Sequence, residues 1–455
     1  MTYKKVFPPS AEKIEKKLEI HGDVRIDNYY WLNEKENPKV KDYLIAENEY
    51  YNLKTSHTND FKEELFQEMK SRIKEDDESV PYKKNNYFYI TKFEKGKQYP
   101  IYSRKKQTLD NENEVMFDVN KMAEGHNYFK LVGLSVSPNN KLVSFGIDLV
   151  SRRQYTLQFK NLETQEIYPE KIENTTGSAS WSTDNKTIFY TQKNPTTLRS
   201  EKIFRHVLGT DPSEDIEVFH EQDEAFSTYV YRTKSYDYLI IGSYSTVSTE
   251  YRILESNNPF GEFRIFQPRE RDLEYNIAHY NSHFYILTNK DKATNFKLMK
   301  TAENKTSKES WFDVIPHRKD VLLEDISIFK EFLVLEERSN GLNKIRIMRW
   351  DDSEDFYLPF NEETYSAGVY FNPEFDTNTI RYGYNSMTTP SSVIDFNVKD
   401  KSKEIKKEQQ VLGGEFDKNN YKSERLWATS EDGTKIPMSL VYHKNTVLNE
   451  DTPLL

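Results

Sequence analysis

Apolar residues recur along this chain in two rhythms, and the change between them divides the sequence. Over the first 75 residues the spacing is helical. Asn37 is placed to cap a helix with Pro38 at its first position, and Val40, Tyr43, Leu44 and Tyr51 fall near one face. A second helix is expected from Asp60, with Glu63 three residues on as a capping box. Phe61, Leu65, Phe66, Met69 and Ile73 form its apolar stripe. The reading is a pair of amphipathic helices that pack on a larger body.

From about residue 80 the rhythm becomes that of strands. Short apolar runs alternate with polar turns, and each run is followed by a second, alternating strand. The leading runs begin at Tyr87, Leu142, Ile188, Leu239, Phe284, Phe332 and Ile380, separated by 55, 46, 51, 45, 48 and 48 residues. A repeat near 50 with several strands per unit predicts a β-propeller of seven blades. Two polar turns, Ser137-Pro138-Asn139-Asn140 and Ser182-Thr183-Asp184-Asn185, enter equivalent strands of consecutive units. One blade alone leaves edges and faces exposed, and a closed ring of blades covers them.

The repeat stops near residue 400. Lys401 to Gln410 is charged and reads as a linker. Ser423–Thr429 and Ile436–Tyr442 read as two strands around the hairpin turn Asp432-Gly433. Pro453-Leu454-Leu455 reads as the opening of a third strand that the sequence cuts short. The expected fold is mainly β: a seven-bladed propeller over 79–405, an N-terminal helical extension over 1–78, and a C-terminal hairpin within 406–455.

Composition narrows the function. The 455 residues include 31 Tyr and 27 Phe, far too many for a disordered chain and well suited to strands. There is no cysteine, which excludes disulfides and thiolate metal sites and suits a reducing compartment. No secretory signal stands in Met1 to Lys17, and no run approaches the ~18 apolar residues of a membrane span. The expected location is the cytoplasm, with no membrane partner. The formal net charge of −10 argues against nucleic acid as a partner.

Three segments carry a resemblance. His21-Gly22-Asp23-Val24-Arg25-Ile26-Asp27-Asn28-Tyr29-Tyr30-Trp31-Leu32 resembles the N-terminal signature of the prolyl oligopeptidase family of serine peptidases, in its oligopeptidase B branch. Ser151-Arg152-Arg153-Gln154-Tyr155, with Tyr168-Pro169-Glu170, resembles the second blade of that branch. The segment from Ser423 to His443 resembles the return into a hydrolase domain. The resemblance implies a propeller that caps an α/β-hydrolase built from both chain ends and restricts access to short peptides, which this branch cleaves after Lys or Arg. It also implies that the helical extension and the hairpin pack on that hydrolase. The nucleophile, acid and base would come after residue 455, so these residues alone should be inactive, with a separate hydrolase chain as one partner that could complete them.

The residues themselves agree with that absence. A nucleophile elbow needs G-x-S-x-G, and Gly133-Leu134-Ser135-Val136-Ser137 comes nearest without the second glycine. His443 falls in the hydrolase lead-in and reads as structural. His279 and His283, four apart, lack an intervening carboxylate, so no metal or other cofactor is expected. Arg152 and Arg153 are candidates for interdomain ion pairs. Glu336 and Glu337 are candidates for attracting a basic peptide at the channel mouth. The alternatives are a stand-alone propeller acting as a binding or scaffold module, and a propeller with its own paired carboxylates, to which no residue points.

Overall fold

A computed structural model describes residues 7–455; the first six residues of the expected extension lie outside the described residues. The chain divides into two compact units. One runs to Lys74 and includes 411–415; the other comprises 75–410 and 416–455.

The first unit holds a hairpin, Lys16–Ile20 with Asp23–Asp27, and two helices, Pro38–Thr55 and Asn59–Ser71. Asn37 caps the first helix as expected, its side chain accepting from the Lys39 N–H at 3.0 Å. The expected capping box does not form. Thr58 enters the second helix from a 3-10 turn, Ser56–Thr58, with φ −100 and ψ 2, so no extended cap residue precedes it. Its hydroxyl donates back to Thr55 O at 2.7 Å, and Glu63 accepts from Gln67 instead. Val40 is buried, but Phe61, Leu65, Phe66, Met69 and Ile73 are exposed. The stripe forms with helical spacing and stands uncovered.

In the second unit all seven leading runs are strands: Tyr87–Phe93, Leu142–Asp148, Thr187–Lys193, Tyr238–Tyr244, His283–Thr288, Phe332–Ser339 and Thr379–Ser386. Each is the second strand of its unit, because a first strand precedes it. Leu239, Ile240 and Ile241 have no exposed surface, and Phe332 to Leu335 almost none. Being covered on both faces makes these strands continuous apolar runs. The first strands of successive units approach one another, Lys130–Val136 with Ile172–Trp181 and that strand with Ser227–Arg232, so they line the axis.

Seven separate blades are not what the hydrogen bonds give. Among the described residues five blade-sized sheets stand apart, four of four strands and one of five. The units led by Leu142 and Ile188 are joined in one seven-stranded sheet, through Tyr155 opposite Thr175 and Leu157 opposite Ile172. Glycines permit the junction. A Cβ on Gly133, whose φ is +67, would lie 2.0 Å from Gly177 O, and one on Gly146 would lie 2.4 Å from Gly177 Cα. The backbones therefore touch where side chains normally keep sheets apart.

The charged segment after residue 400 is also a correction. It contains a strand, Lys403–Glu408, the outer strand of the last sheet. Its polar, exposed sequence suits an edge, where Lys and Glu discourage pairing with another chain. Tyr421–Thr429 and Lys435–His443 form the expected hairpin, with Gly433 at φ +85 in the turn. Pro453 to Leu455 lie in no strand. The architecture is a β-propeller with an N-terminal helical segment.

The ring closes without strand exchange: the first sheet takes its strands from 77–118 and the last from 365–408. Side chains span the seam instead. Arg381 donates to Pro81 O at 2.8 Å while holding Asp395 through two bonds of 2.7 and 2.9 Å. Lys407 pairs with Asp77 at 2.5 Å, and Tyr82 meets Phe371 edge-on at 4.8 Å.

The glycine junction predicts a position-specific cost. Gly133→Ala should lower stability by about 3 kcal/mol or more, through backbone collision at positive φ. Gly209→Ala, at φ +92 with open space around it, should cost only about 1 kcal/mol. Urea unfolding reads both; equal midpoints for the two variants would contradict the close approach.

Candidate functional site

The axis of the propeller has two ends, and they differ in chemistry. The first strand of each unit runs in the same sense, so residues that follow these strands gather at one end. Residues at their starts gather at the other, with the turns that follow the second strands.

The strand-start end carries the C-terminal hairpin. Arg425 N–H donates to Glu363 at 3.1 Å, and its guanidinium donates to Asn340 O in the turn after Phe332–Ser339. Beside the starts of the inner strands lies a cleft of about 610 Å³, lined by Thr176, Ser178, Tyr229, Tyr244, Tyr251 and Asn276 among others. Tyr251 donates to Asn276 Oδ1 at 2.5 Å, and the Tyr229 and Tyr251 hydroxyls are 3.2 Å apart. Burial raises the Tyr229 phenol above its ordinary range. The cleft therefore offers neutral hydroxyls and aromatic faces. The sequence hides it, since its residues come from several separate strands.

Arg152 and Arg153 lie at this same end, in the turn after Leu142–Asp148. The buried Asp148 carboxylate shapes that turn by accepting from the N–H groups of Val150 at 2.8 Å and Arg153 at 2.7 Å. Lys193 donates to Arg153 O at 2.8 Å. Both arginines are exposed. Their backbone is fixed while their guanidinium groups face outward.

Glu336 and Glu337 are separated by the pleat of their strand, because adjacent residues point to opposite faces. Glu337 has no exposed surface and cannot serve the channel mouth. It is enclosed by Arg318, by Arg346 at 3.5 Å and by the Tyr357 hydroxyl at 2.6 Å. Glu336 is half-buried, stands opposite Asp325, and accepts from the Val369 N–H at 3.0 Å. Burial pushes its carboxyl up, and Asp325 and Glu324 add to the rise. Burial raises Asp325 as well.

The histidines read as structural. A turn at Asn281-Ser282 separates His279 from His283, placing them on different strands, His279 opposite Phe284 and His283 opposite Tyr280. His279 is 5% exposed and lies within 3.3 Å of both Asp237 and Glu303. Burial still lowers its pKa. Ser135 belongs to an inner strand, and its carbonyl accepts from the Trp181 indole at 2.8 Å. Among the described residues no group of three or more His, Cys, Asp or Glu is arranged to hold a metal.

The strand-end side of the axis was not anticipated. Lys84, Arg232, Lys234, Tyr236 and Glu374 converge there from three sheets. The Tyr236 hydroxyl reaches Asn85 Oδ1 at 3.4 Å, bridging the first and fourth units across the axis.

The two glutamates should behave oppositely on substitution. Glu337→Gln strands two partly buried guanidinium groups and should cost about 3–5 kcal/mol. Glu336→Gln should stabilise the chain at neutral pH. A carboxyl whose folded pKa is raised leaves the unfolded chain as the first to release its proton. Stability then falls as pH rises from the ordinary value of 4.5 through the raised folded value. Chemical denaturation from pH 4 to 8 should show that fall in the parent chain and a flatter profile in Glu336→Gln; parallel profiles would remove the raised carboxyl.

Comparison with known proteins matches this architecture. Residues 8–409 fit the family model described as prolyl oligopeptidase, N-terminal beta-propeller domain. Dipeptidyl aminopeptidase BI of Pseudoxanthomonas mexicana is 38% identical over 453 residues, which cover 96% of this chain and 62% of that protein. Protease 2 of Moraxella lacunata is 29% identical, covering 98% of this chain and 65% of that protein. Oligopeptidase B from Leishmania major superposes with a TM-score of 0.88 at 30% identity, covering 97% of this chain and 66% of that one. The Trypanosoma brucei oligopeptidase B, in a closed form with covalently bound antipain, gives 0.87 at 28% identity, over 97% and 66%. This chain thus spans less than two thirds of the length of these relatives. With residues 8–409 fitting the propeller model and 96% of the chain covered by a relative 38% identical to it, the chain belongs to the prolyl oligopeptidase family, as its β-propeller part.

Proposed function

We propose that these residues form the substrate-filtering portion of an oligopeptidase B-like serine peptidase, a cap over a hydrolase that cleaves short peptides after Lys or Arg. The observation that carries this reading is the uncovered apolar surface of the flanking segments. Phe61, Phe66 and Met69 on the second helix, and Leu426, Trp427, Ile436 and Met438 on the hairpin, are all exposed. A stand-alone binding module has no use for them, whereas a hydrolase built from both chain ends would bury them.

The strand-start end is the side such a hydrolase would cover, since the hairpin lies there. In this reading Arg152 and Arg153 make ion pairs across the domain junction. Glu336, held in a poorly solvated site beside Asp325, favours a basic peptide over an acidic one; Glu337 supports it only by ordering Arg318 and Arg346. Seven blade units fit the reading if the seven-stranded sheet counts as two. The hydrolytic step is acyl transfer, and these 455 residues contain no G-x-S-x-G. A hydrolase portion, on the same chain or a separate one, would supply the nucleophile. The absence of cysteine fits a cytoplasmic setting.

The 38% identity to a dipeptidyl aminopeptidase favours a second reading of the complete enzyme, removal of dipeptides from a free N-terminus.

The purified chain should show no turnover of a short Arg-containing chromogenic peptide that a serine-directed inhibitor abolishes; such turnover would refute the non-catalytic assignment. With the hydrolase portion restored, cleavage of an N-acetylated Arg peptide supports the endopeptidase. Cleavage confined to peptides with a free amine two residues before the bond supports the dipeptidyl reading.

A further inference from the structure

Three cations meet at the strand-end side of the axis, each immediately after an inner strand or at its close. Lys84 ends the strand Tyr82–Lys84 of the first sheet, and Arg232 ends Ser227–Arg232 of the fourth unit, with Lys234 two residues on. Lys234 lies 3.2 Å above the ring of the fully buried Phe329, and Arg232 stacks at 4.3 Å over Tyr236. Among the described residues the carboxylate that acts on Lys84 and on Lys234 is Glu374, from the loop after Tyr365–Val369. Neither Arg232 Nη1 nor Glu374 Oε2, both buried atoms, has a hydrogen-bond partner.

Such an arrangement is costly in the free protein. Burial lowers the pKa of Lys84, and the neighbouring Arg232 lowers it further. Burial likewise lowers Arg232, and holds Lys234 down to about 7 despite the pull of Glu374. Aromatic faces offset part of the cost for two of the three, at about 1–2 kcal/mol each. A buried cation cluster is normally relieved by carboxylates in bidentate contact. Here Glu374 acts on Lys84 and Lys234 alone, so the cluster of three cations retains a positive excess.

We propose that this end of the axis is an oxyanion site, in which Lys84, Arg232 and Lys234 hold a phosphate or a carboxylate and Glu374 opposes it. Arg232 Nη1 supplies a donor with no competing partner, and Lys84 and Lys234 approach from opposite sides of the axis. The π faces orient the two fourth-unit cations without consuming their N–H donors, as a carboxylate would. The site is independent of the hydrolase-facing end and of the peptidase assignment. Its occupant has two chemical sources: a free phosphate, or the carboxylate end of a peptide lying along the channel.

The test is titration calorimetry on the 455-residue chain at constant ionic strength. Inorganic phosphate is one arm. The other is a pair of short peptides that differ only in a free or amidated C-terminus. The parent chain should bind phosphate saturably. Binding should weaken by about tenfold or more in Arg232→Met/Lys234→Met and tighten in Glu374→Gln, where the opposing charge is gone. Arg152→Met, exposed at the other end, should bind as the parent does. Without phosphate the double variant should melt no lower than the parent, because two poorly solvated charges are removed; phosphate should then raise the melting temperature of the parent more than that of the double variant. Competition by the free-acid peptide, absent with the amide, assigns the site to a peptide end, and its absence assigns it to phosphate. No saturable binding of either probe by the parent, undiminished binding by the double variant, or weaker binding by Glu374→Gln overturns the proposal.

Discussion

The seam between the first and last sheets is the constraint on which the rest of this propeller depends. Each sheet is a meander of local hairpins, so most pairings close over short loops and need little help. The seam instead joins residues about 300 apart along the chain, with a correspondingly larger loop-closure entropy. No strand crosses it. Arg381, fixed by Asp395, reaches Pro81 O, and Lys407 reaches Asp77 and the Glu78 carbonyl. A ladder spreads its stability over many bonds worth about 1 kcal/mol net each, whereas this seam concentrates it in two cations and an aromatic pair. Local opening of the ring is therefore expected here before any sheet comes apart.

What could be read in the sequence follows from burial. The second strand of each unit is covered on both faces, and Leu239-Ile240-Ile241 or Phe332-Leu333-Val334-Leu335 stands out as an apolar run. Those runs revealed the period. The outer strands have a solvent side, and Lys403–Glu408 is so polar that it reads as a linker. The joined seven-stranded sheet was not legible, because it depends on Gly133, Gly146 and Gly177 meeting in space, and no local pattern announces such a contact. The candidate site fared similarly. Glu336-Glu337 was visible as a charged pair, but strand alternation sends one into an enclosed network with Arg318 and Arg346. Lys84, Arg232, Lys234 and Glu374 are spread over 290 residues and come together only because each closes or follows an inner strand.

The two ends of the axis are thus set by one repeated geometry and diverge by side chain. At the strand-start end the cleft is neutral and rich in hydroxyls, and the same end carries the hairpin whose apolar side chains are exposed. At the other end the side chains are cationic and cross the axis. The net charge of −10 gives no hint of this, because three cations at one point count for little among 64 Lys and Arg and 74 Asp and Glu. A whole-chain charge describes solubility and long-range steering; the field inside a channel is set by the few groups that face it.

The seam and the axial cluster share an element. Tyr82–Lys84, an inner strand of only three residues, begins beside the Pro81 carbonyl that Arg381 holds and ends in Lys84 at the axis. Its pairing with Tyr87–Tyr89 supplies only a few ladder bonds, so its position depends on contacts at both ends. Repulsion between Lys84 and Arg232 pushes this strand away from the axis. An anion between the two cations would reverse that force and draw the first sheet toward the fourth unit across the ring. Because a ligand stabilises whichever state binds it better, occupancy of the axis would favour the closed ring if the site exists only when the ring is closed. The ring should resist opening most when its centre is neutralised.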